Sequence, residues 1–231
     1  IYQVFTPLYK RSLTLPHARV LAEPNHIPAP TTWPTSETVE SLALLPTIPW
    51  DKTMQTTWTQ GEVGAQQALF SFIQGGLGRY LDQRDTPALA IGDGVSGLSS
   101  YLHFGEISPR QVAAAVRTKA ANEGRALNKS EEGYLRQLVW REFAHHLLVH
   151  FPTTPTQPLR SEFSVYPWAD ESLPETQEHL ARWQRGQTGY PLVDAGMRQL
   201  WATGWMHNRV RMVVGSFLVK HLRIHWLRGA E

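Results

Sequence analysis

Along most of the chain, apolar residues return every three or four positions, the spacing that lays one apolar stripe along a helix. The segment from Gly61 carries Ala68, Leu69, Phe72 and Ile73 in that register, and Gly75 and Gly76 interrupt it before a shorter piece around Tyr80. Ser108, Pro109 and Gln111 then stand where an N-cap, a first-turn proline and a capping-box partner belong, which predicts a helix from Pro109. A further stripe, Leu135, Leu138, Val139, Phe143 and Leu147, runs until Pro152 stops it. Three more helical segments, "ETQEHLARWQRG", "YPLVDAGMRQLWATG" and "MHNRVRMVVGSFLVKHLRIHW", are separated by glycines. The strict alternation of half-buried strands is nearly absent, so the body over residues 61–231 is predicted to be all-α.

Upstream the pattern dissolves. Residues 1–15 hold a short β-like run and then a basic helical or coil piece, too little to make a domain. Residues 16–60 are dense in proline and threonine, and proline removes donors and restricts its neighbours, which predicts an extended connector lying over a domain surface.

At 231 residues the chain is long enough to bury a core, and its formal charge of +2 and pI of about 9.0 leave room for local basic surfaces on a nearly neutral protein. The absence of cysteine excludes disulfides, thiolate metal sites and cysteine nucleophiles. No apolar run is long enough to span a bilayer and no signal-peptide pattern opens the chain, so a soluble, intracellular protein is expected. Nine tryptophans suit a core, but several stand at helical spacing beside Arg, Asn or Gln, a mixture that also makes stacking surfaces for bases or flavins.

Two segments repeat that mixture. Read as one helix, "TGWMHNRVRM" puts Trp205, Asn208, Arg211 and Met212 on one broad face; "YLRQLVWREF" does the same with Gln137, Trp140 and Arg141. An aromatic plane, an amide and a guanidinium together suit a planar, hydrogen-bonding, partly anionic ligand. The loop "GDGVSGLSSYLHFG" adds permissive glycines and the hydroxyls of Ser96, Ser99 and Ser100 before a helical start, where backbone N–H groups cradle phosphates. Two histidine pairs at i, i+4, His146 with His150 and His221 with His225, offer a rival metal chemistry, a helical metal-dependent hydrolase; without cysteine or an H-E-x-x-H glutamate, surface or interhelical hydrogen bonding is the expected role and no metal site is assigned.

Taken together, "VFTPLYKR", "SGLSSYLHFGEISPRQ", "WREF" and "GQTGYPLVDAGMRQLWATGWMHNRVRMVVGSFLVKHL" resemble the photolyase/cryptochrome family, and within it the microbial DNA photolyases that repair cyclobutane pyrimidine dimers. The resemblance implies FAD, UV-damaged DNA and light, with cryptochrome-type photosensing as the alternative. It implies that Tyr80 and the loop Val95, Ser96, Gly97, Leu98 and Ser99 hold the FAD phosphates and ribityl chain, with Arg84 basic and close to cofactor and DNA backbone. Tyr134 falls near the adenine end of the cofactor. Gln137, Trp140 and Arg141 fall where the family contacts cofactor and flipped lesion, Trp140 being the stacking plane. The resemblance further implies that Trp205 and Arg211 face the flavin, that Asn208 lies between cofactor and DNA, that Arg209 points to DNA, and that Met212 touches the lesion. Trp226 and Trp168 match the middle and outer members of an electron-transfer chain.

The chain departs from the family pattern at three of these positions. Val95 replaces a frequent hydroxyl residue, Gln137 a frequent lesion-binding glutamate, and Tyr134 a tryptophan. The resemblance divides the chain into the tail of an N-terminal α/β antenna domain (1–15), an interdomain linker (16–60) and a helical FAD- and DNA-binding domain truncated at its C-terminus (61–231). A fragment of this kind is expected to bind FAD poorly by itself. Any second chromophore, of folate or deazaflavin type, is expected only in the antenna domain. A monomer in the bacterial cytoplasm, held to the nucleoid through DNA and away from membranes, completes the expectation.

Overall fold

The computed structural model describes residues 1–16 and 19–231. It is built of α1 (Phe5–Ser12), α2 (Lys52–Thr57), α3 (Gly61–Gln74), α4 (Tyr80–Gln83), α5 (Ser99–Phe104), α6 (Pro109–Asn122), α7 (Lys129–His150), α8 (Pro174–Gln184), α9 (Pro191–Thr203), α10 (Asn208–Ser216) and α11 (Leu227–Ala230), with three short 3-10 turns. Among the described residues the only extended pairing is one isolated bridge between Ile91 and Val95. The all-α expectation therefore holds. No helix of the described residues is long and apolar enough to cross a membrane.

The helices bury two apolar clusters. Ala65, Leu69, Phe72 and Leu77 from α3 and the turn after it meet Leu98, Ile107, Val112, Val116 and Tyr134 in the first. Trp183, Val193, Met197, Met206, Val210, Val214, Phe217 and Ile224 form the second around α8, α9 and α10. Gly196 lets α9 and α10 approach closely, since a Cβ there would sit 2.4 Å from a Val210 methyl.

Capping sets the helix starts. Ser108 accepts from the Gln111 N–H while the Gln111 side chain accepts from the Ser108 N–H, so both first-turn donors are satisfied. Asn128 and Glu131 repeat the box at the head of α7, where the Arg125 guanidinium also grips both oxygens of the buried Glu131 carboxylate, at 2.8 and 2.7 Å.

Three sequence expectations need correction. Residues 1–15 contain no strand; their apolar run starts α1, whose Phe5 is buried on α7, with its ring stacked 3.6 Å from the Trp140 ring at 5°. The described residues of the proline-rich stretch 16–60 are largely exposed, and its last part folds as α2. The segment "TGWMHNRVRM" is not one helix: Gly204 takes a left-handed φ of +70° and ends α9, and α10 begins only at Asn208. Trp205 therefore lies in the intervening turn, off the face that carries Asn208 and Met212. α10 then widens into a π-helical turn over Phe217–His221.

Candidate cofactor and nucleic-acid site

A cleft of about 460 Å³ opens between α2, the head of α5 and the turn joining α9 to α10. Trp58, Ser99, Ser100, His103, Trp205 and Arg211 are among its walls. Its frame is fixed by hydrogen bonds: the Trp58 indole N–H donates to the Thr203 carbonyl at 2.7 Å, and the Tyr101 hydroxyl donates to the Thr59 carbonyl at 3.0 Å. These tie α2, α5 and α9 together. Neither Trp58 nor Tyr101 was singled out from sequence, because both contacts join residues distant along the chain.

Ser99, Trp205 and Arg211, expected around one ligand, do meet in this cleft. So does Ser100, whose buried Oγ has no hydrogen-bond partner. A buried hydroxyl without a partner carries a desolvation cost that a polar ligand group would remove. The first-turn N–H groups of α5 have no intrahelical acceptors.

The glycine loop leads into that helix. The Gly92 N–H donates to the Val95 carbonyl at 2.7 Å, the Leu98 N–H approaches the Ser96 Oγ at 3.4 Å, and Gly97 takes a φ of +68°. A Cβ on Gly97 would come within 2.3 Å of an Ile91 methyl. Ser96 and Gly97 line a second, smaller cleft of about 250 Å³, and Trp58 and Tyr101 separate it from the first. The backbone from Val95 to Ser99 therefore passes along both spaces, while the Leu98 side chain is a core anchor and offers a ligand only its main chain.

Tyr80 and Tyr134 line neither cleft. Both are buried, with ring centroids 5.2 Å apart in an edge contact, and Tyr134 also packs on Phe72 at 4.8 Å. Burial pushes the Tyr134 phenol well above its ordinary pKa, with the Ser96 hydroxyl opposing; burial also raises Tyr80, against the pull of Arg84. The Arg84 guanidinium lies 5.4 Å from the Tyr80 ring centre.

The residues on α7 stand outside the cleft. Gln137 donates to the Gly133 carbonyl at 3.2 Å, and Arg141 reaches the Leu102 carbonyl of α5 at 3.4 Å and the Glu142 carboxylate at 3.2 Å. Trp140 is partly exposed, but one ring face is covered by Phe5 and Phe143 meets it edge-on at 5.8 Å. In this structure the expected stacking plane for a lesion is thus occupied on one side by α1.

At the head of α10, His207 is 2 % exposed. Its Nδ1 accepts from the Arg209 N–H at 3.1 Å and its Nε2 lies 3.0 Å from the Arg84 carbonyl, so the donating hydrogen sits on Nε2. Sequence patterns gave no sign of this histidine cap. Beside it, Arg209 Nε and Nη2 donate to the two oxygens of Asp85 at 2.8 and 2.9 Å, and the pairing holds the Asp85 carboxyl below the usual carboxylate range. Asn208 and Arg209 both approach the Met212 sulfur, at 4.0 and 3.7 Å, so these three residues form one exposed group on α10.

Trp168 and Trp226 come together through a third ring: His225 lies 4.7 Å from Trp168 and 5.6 Å from Trp226 between centroids. His146 and His150 stack at 4.2 Å, with His146 Nε2 accepting from the Tyr2 N–H and His150 Nδ1 lying 2.8 Å from the His146 carbonyl. Among the described residues, no three histidine, aspartate or glutamate side chains gather as a metal site.

Residues 134–231 match the family model for the FAD binding domain of DNA photolyase. A deoxyribodipyrimidine photo-lyase of Agrobacterium fabrum is 43% identical over the whole chain, which covers 46% of that relative. Cryptochrome-2 of Arabidopsis thaliana is 39% identical over 79% of the chain, covering 29% of that protein. Among solved structures, a class III photolyase from Agrobacterium tumefaciens superposes with a TM-score of 0.87 at 41% identity, over 98% of this chain and 46% of its own. A Synechocystis cryptochrome superposes with a TM-score of 0.67 at 32% identity, over 80% of this chain and 37% of its own. The chain spans about half the length of the Agrobacterium fabrum and Synechococcus photo-lyases it matches.

Proposed function

Because this chain belongs to the DNA photolyase/cryptochrome family, we propose that it forms the FAD- and DNA-binding part of an enzyme that repairs cyclobutane pyrimidine dimers in UV-damaged DNA under light. The observation that carries the reading is the cleft where Ser99, Ser100, Trp205 and Arg211 converge, with the unpaired Ser100 hydroxyl buried in its wall. A cofactor bearing phosphates and a planar ring system meets each of these groups with a matching one.

FAD, when bound, reduced and photoexcited, supplies a single electron to the dimer and takes it back after the ring has split. The protein's share is binding, orientation and exclusion of water. The α5 head and the loop Val95–Leu98 hold phosphates through N–H groups and the Ser96, Ser99 and Ser100 hydroxyls. Trp205 supplies an aromatic plane, and Arg211 a guanidinium that needs no proton exchange to stay charged. Tyr80, Tyr134 and Leu98 act from behind, packing the wall on which the loop rests. Gln137, Arg141, Asn208 and Met212 belong to the lesion side, and Arg84 and Arg209 to the DNA backbone. Trp140 serves as the stacking plane on its uncovered face. Phosphate contacts of this type give affinity without sequence preference and weaken steeply with salt.

The same reading assigns residues 1–15 to the tail of an α/β antenna domain holding a folate- or deazaflavin-type chromophore, and places a monomeric enzyme in the bacterial cytoplasm. The cryptochrome relatives favour a second reading, a flavin photosensor without repair. Irradiated DNA separates the two: a full-length protein carrying this chain clears thymine dimers under blue light and leaves them in the dark. Persistence of the dimers in reduced, illuminated, FAD-loaded protein would favour the photosensor.

A further inference from the structure

Two rings hold the Trp140 indole in different ways. Phe143, further along α7, meets it edge-on at 5.8 Å and 76°, while the Phe5 ring of α1 lies parallel to it, with centroids 3.6 Å apart and a tilt of 5°. The edge contact fixes where the indole sits, and the parallel contact fixes the plane in which it lies. Trp140 is nonetheless 45% exposed, and with one face under Phe5 that exposure belongs to the opposite face and the rim.

A face-on pair this close is not the arrangement two free aromatic rings prefer, which is offset or edge-to-face. The seating of α1 imposes it. Just ahead of the helix, the Tyr2 N–H donates to His146 Nε2 of α7 at 3.1 Å. Phe5 itself is buried, meeting Phe143 edge-on at 5.9 Å and Tyr9 at 5.5 Å and 16°. The start of the chain is therefore fastened to α7 at Trp140, Phe143 and His146, and it leaves an indole backed on one face and open on the other.

Resting on the reading that Trp140 is the plane on which a flipped lesion stacks, we propose that Phe5 is a positioning residue for lesion recognition: by backing the indole it holds the open face in one plane before DNA arrives. An indole on a helix surface without such backing exchanges rotamers, and fixing it at the moment of binding offsets part of the stacking energy. Phe5 removes that cost in the free protein. Undamaged duplex DNA keeps its bases stacked inside and does not meet the ring face. Phe5 therefore acts on discrimination in favour of dimer-containing DNA, and not on affinity for the phosphate backbone.

The test compares, in the dark so that the dimer stays intact, the affinity of a full-length, FAD-loaded protein carrying this chain for a duplex with one thymine dimer and for the same duplex undamaged. Phe5→Leu keeps an apolar side chain under the indole but no ring, and lowers the ratio of the two affinities by roughly threefold to tenfold, with FAD content and undamaged-DNA affinity unchanged. Phe5→Tyr keeps the ring and retains the wild-type ratio. In a Trp140→Leu background, Phe5→Leu has no further effect. An unchanged ratio in Phe5→Leu, an equal loss in Phe5→Tyr, a parallel loss of undamaged-DNA affinity, or a further drop in the Trp140→Leu background each overturns the positioning role. Should Phe5→Leu fail to fold, Phe5→Met takes its place in every comparison. Trp140→Leu alone tests the underlying reading separately: a wild-type ratio there removes the stacking plane itself.

Discussion

The Arg209 guanidinium and the Asp85 carboxylate form a two-pronged ion pair across 124 residues of sequence, with N–O distances of 2.8 and 2.9 Å. The pair locks the head of α10 to the turn after α4, and it sits where the proposed function brings a DNA backbone. A phosphate competes with the carboxylate for the same two N–H groups. Asp85→Asn weakens that competition, and DNA binding should tighten by roughly twofold to fivefold, through faster association at low salt. Arg209→Ala should weaken binding to all sequences alike and lower the salt slope by about one, with FAD content unchanged. Fluorescence anisotropy across a salt series reads both.

Ser100 gives a prediction whose sign depends on the ligand. Without flavin its hydroxyl is buried and unpaired, so Ser100→Ala should leave thermal stability unchanged or slightly raised. With flavin present the same change should reduce affinity by roughly tenfold, the equivalent of one lost hydrogen bond of about 1 to 1.5 kcal/mol. Flavin titration of wild type and variant, each with a melting curve, checks both halves.

Gly97→Ala should fail differently. The substitution meets both a left-handed backbone and an Ile91 methyl in the way, and the backbone alone costs about 1 to 2 kcal/mol. The loop must shift to accept it, so flavin retention on purification should fall together with the melting temperature. Gly97→Ala with Ile91→Ala should recover part of the loss by removing the methyl.

The head of α7 is the place to look for acid sensitivity. Arg125 holds the Glu131 carboxyl below its ordinary range, and the Asn128 N–H adds to the effect. A carboxylate with a lowered folded-state pKa contributes stability above its unfolded value, near 4.3, and loses it as pH falls through the folded value. Glu131→Gln should therefore destabilise at pH 7, and the difference from wild type should vanish progressively below about pH 4. Asn128→Ala, which removes the other half of the capping box, should cost about 1 kcal/mol with no such pH dependence.

What could be read along the chain was what neighbours within a turn or two determine. The Ser108 to Gln111 box and the stop at Pro152 follow directly from spacing, and Asn128 and Glu131 carry the same signature at the head of α7. Gly204, which already closes the segment "YPLVDAGMRQLWATG", is also what keeps Trp205 off the next helix. α2 was hidden because proline density nearby outweighs a six-residue helix that owes its place to Trp58 reaching Thr203. His207 was hidden for a different reason: histidine is no favoured cap, and its role depends on the Arg84 carbonyl brought in from far along the chain. Of the residues expected around the ligand, Ser99, Trp205 and Arg211 line one cleft, while Tyr80 and Tyr134 turn inward because their aromatic area fills the first core.

The connector between α1 and α2 is pinned at its two ends by aromatic residues, Phe5 stacked on Trp140 and Trp58 bonded to Thr203, and its described residues are largely exposed. A tether held this way feels its own length only through loop-closure entropy, which rises by about 0.6 kcal/mol for each doubling. Insertions and deletions there should be nearly free, whereas the loss of either pin would cost far more than any change in length. The stretch is thus open to drift in composition and size, and a natural place to splice a reporter without disturbing the cleft.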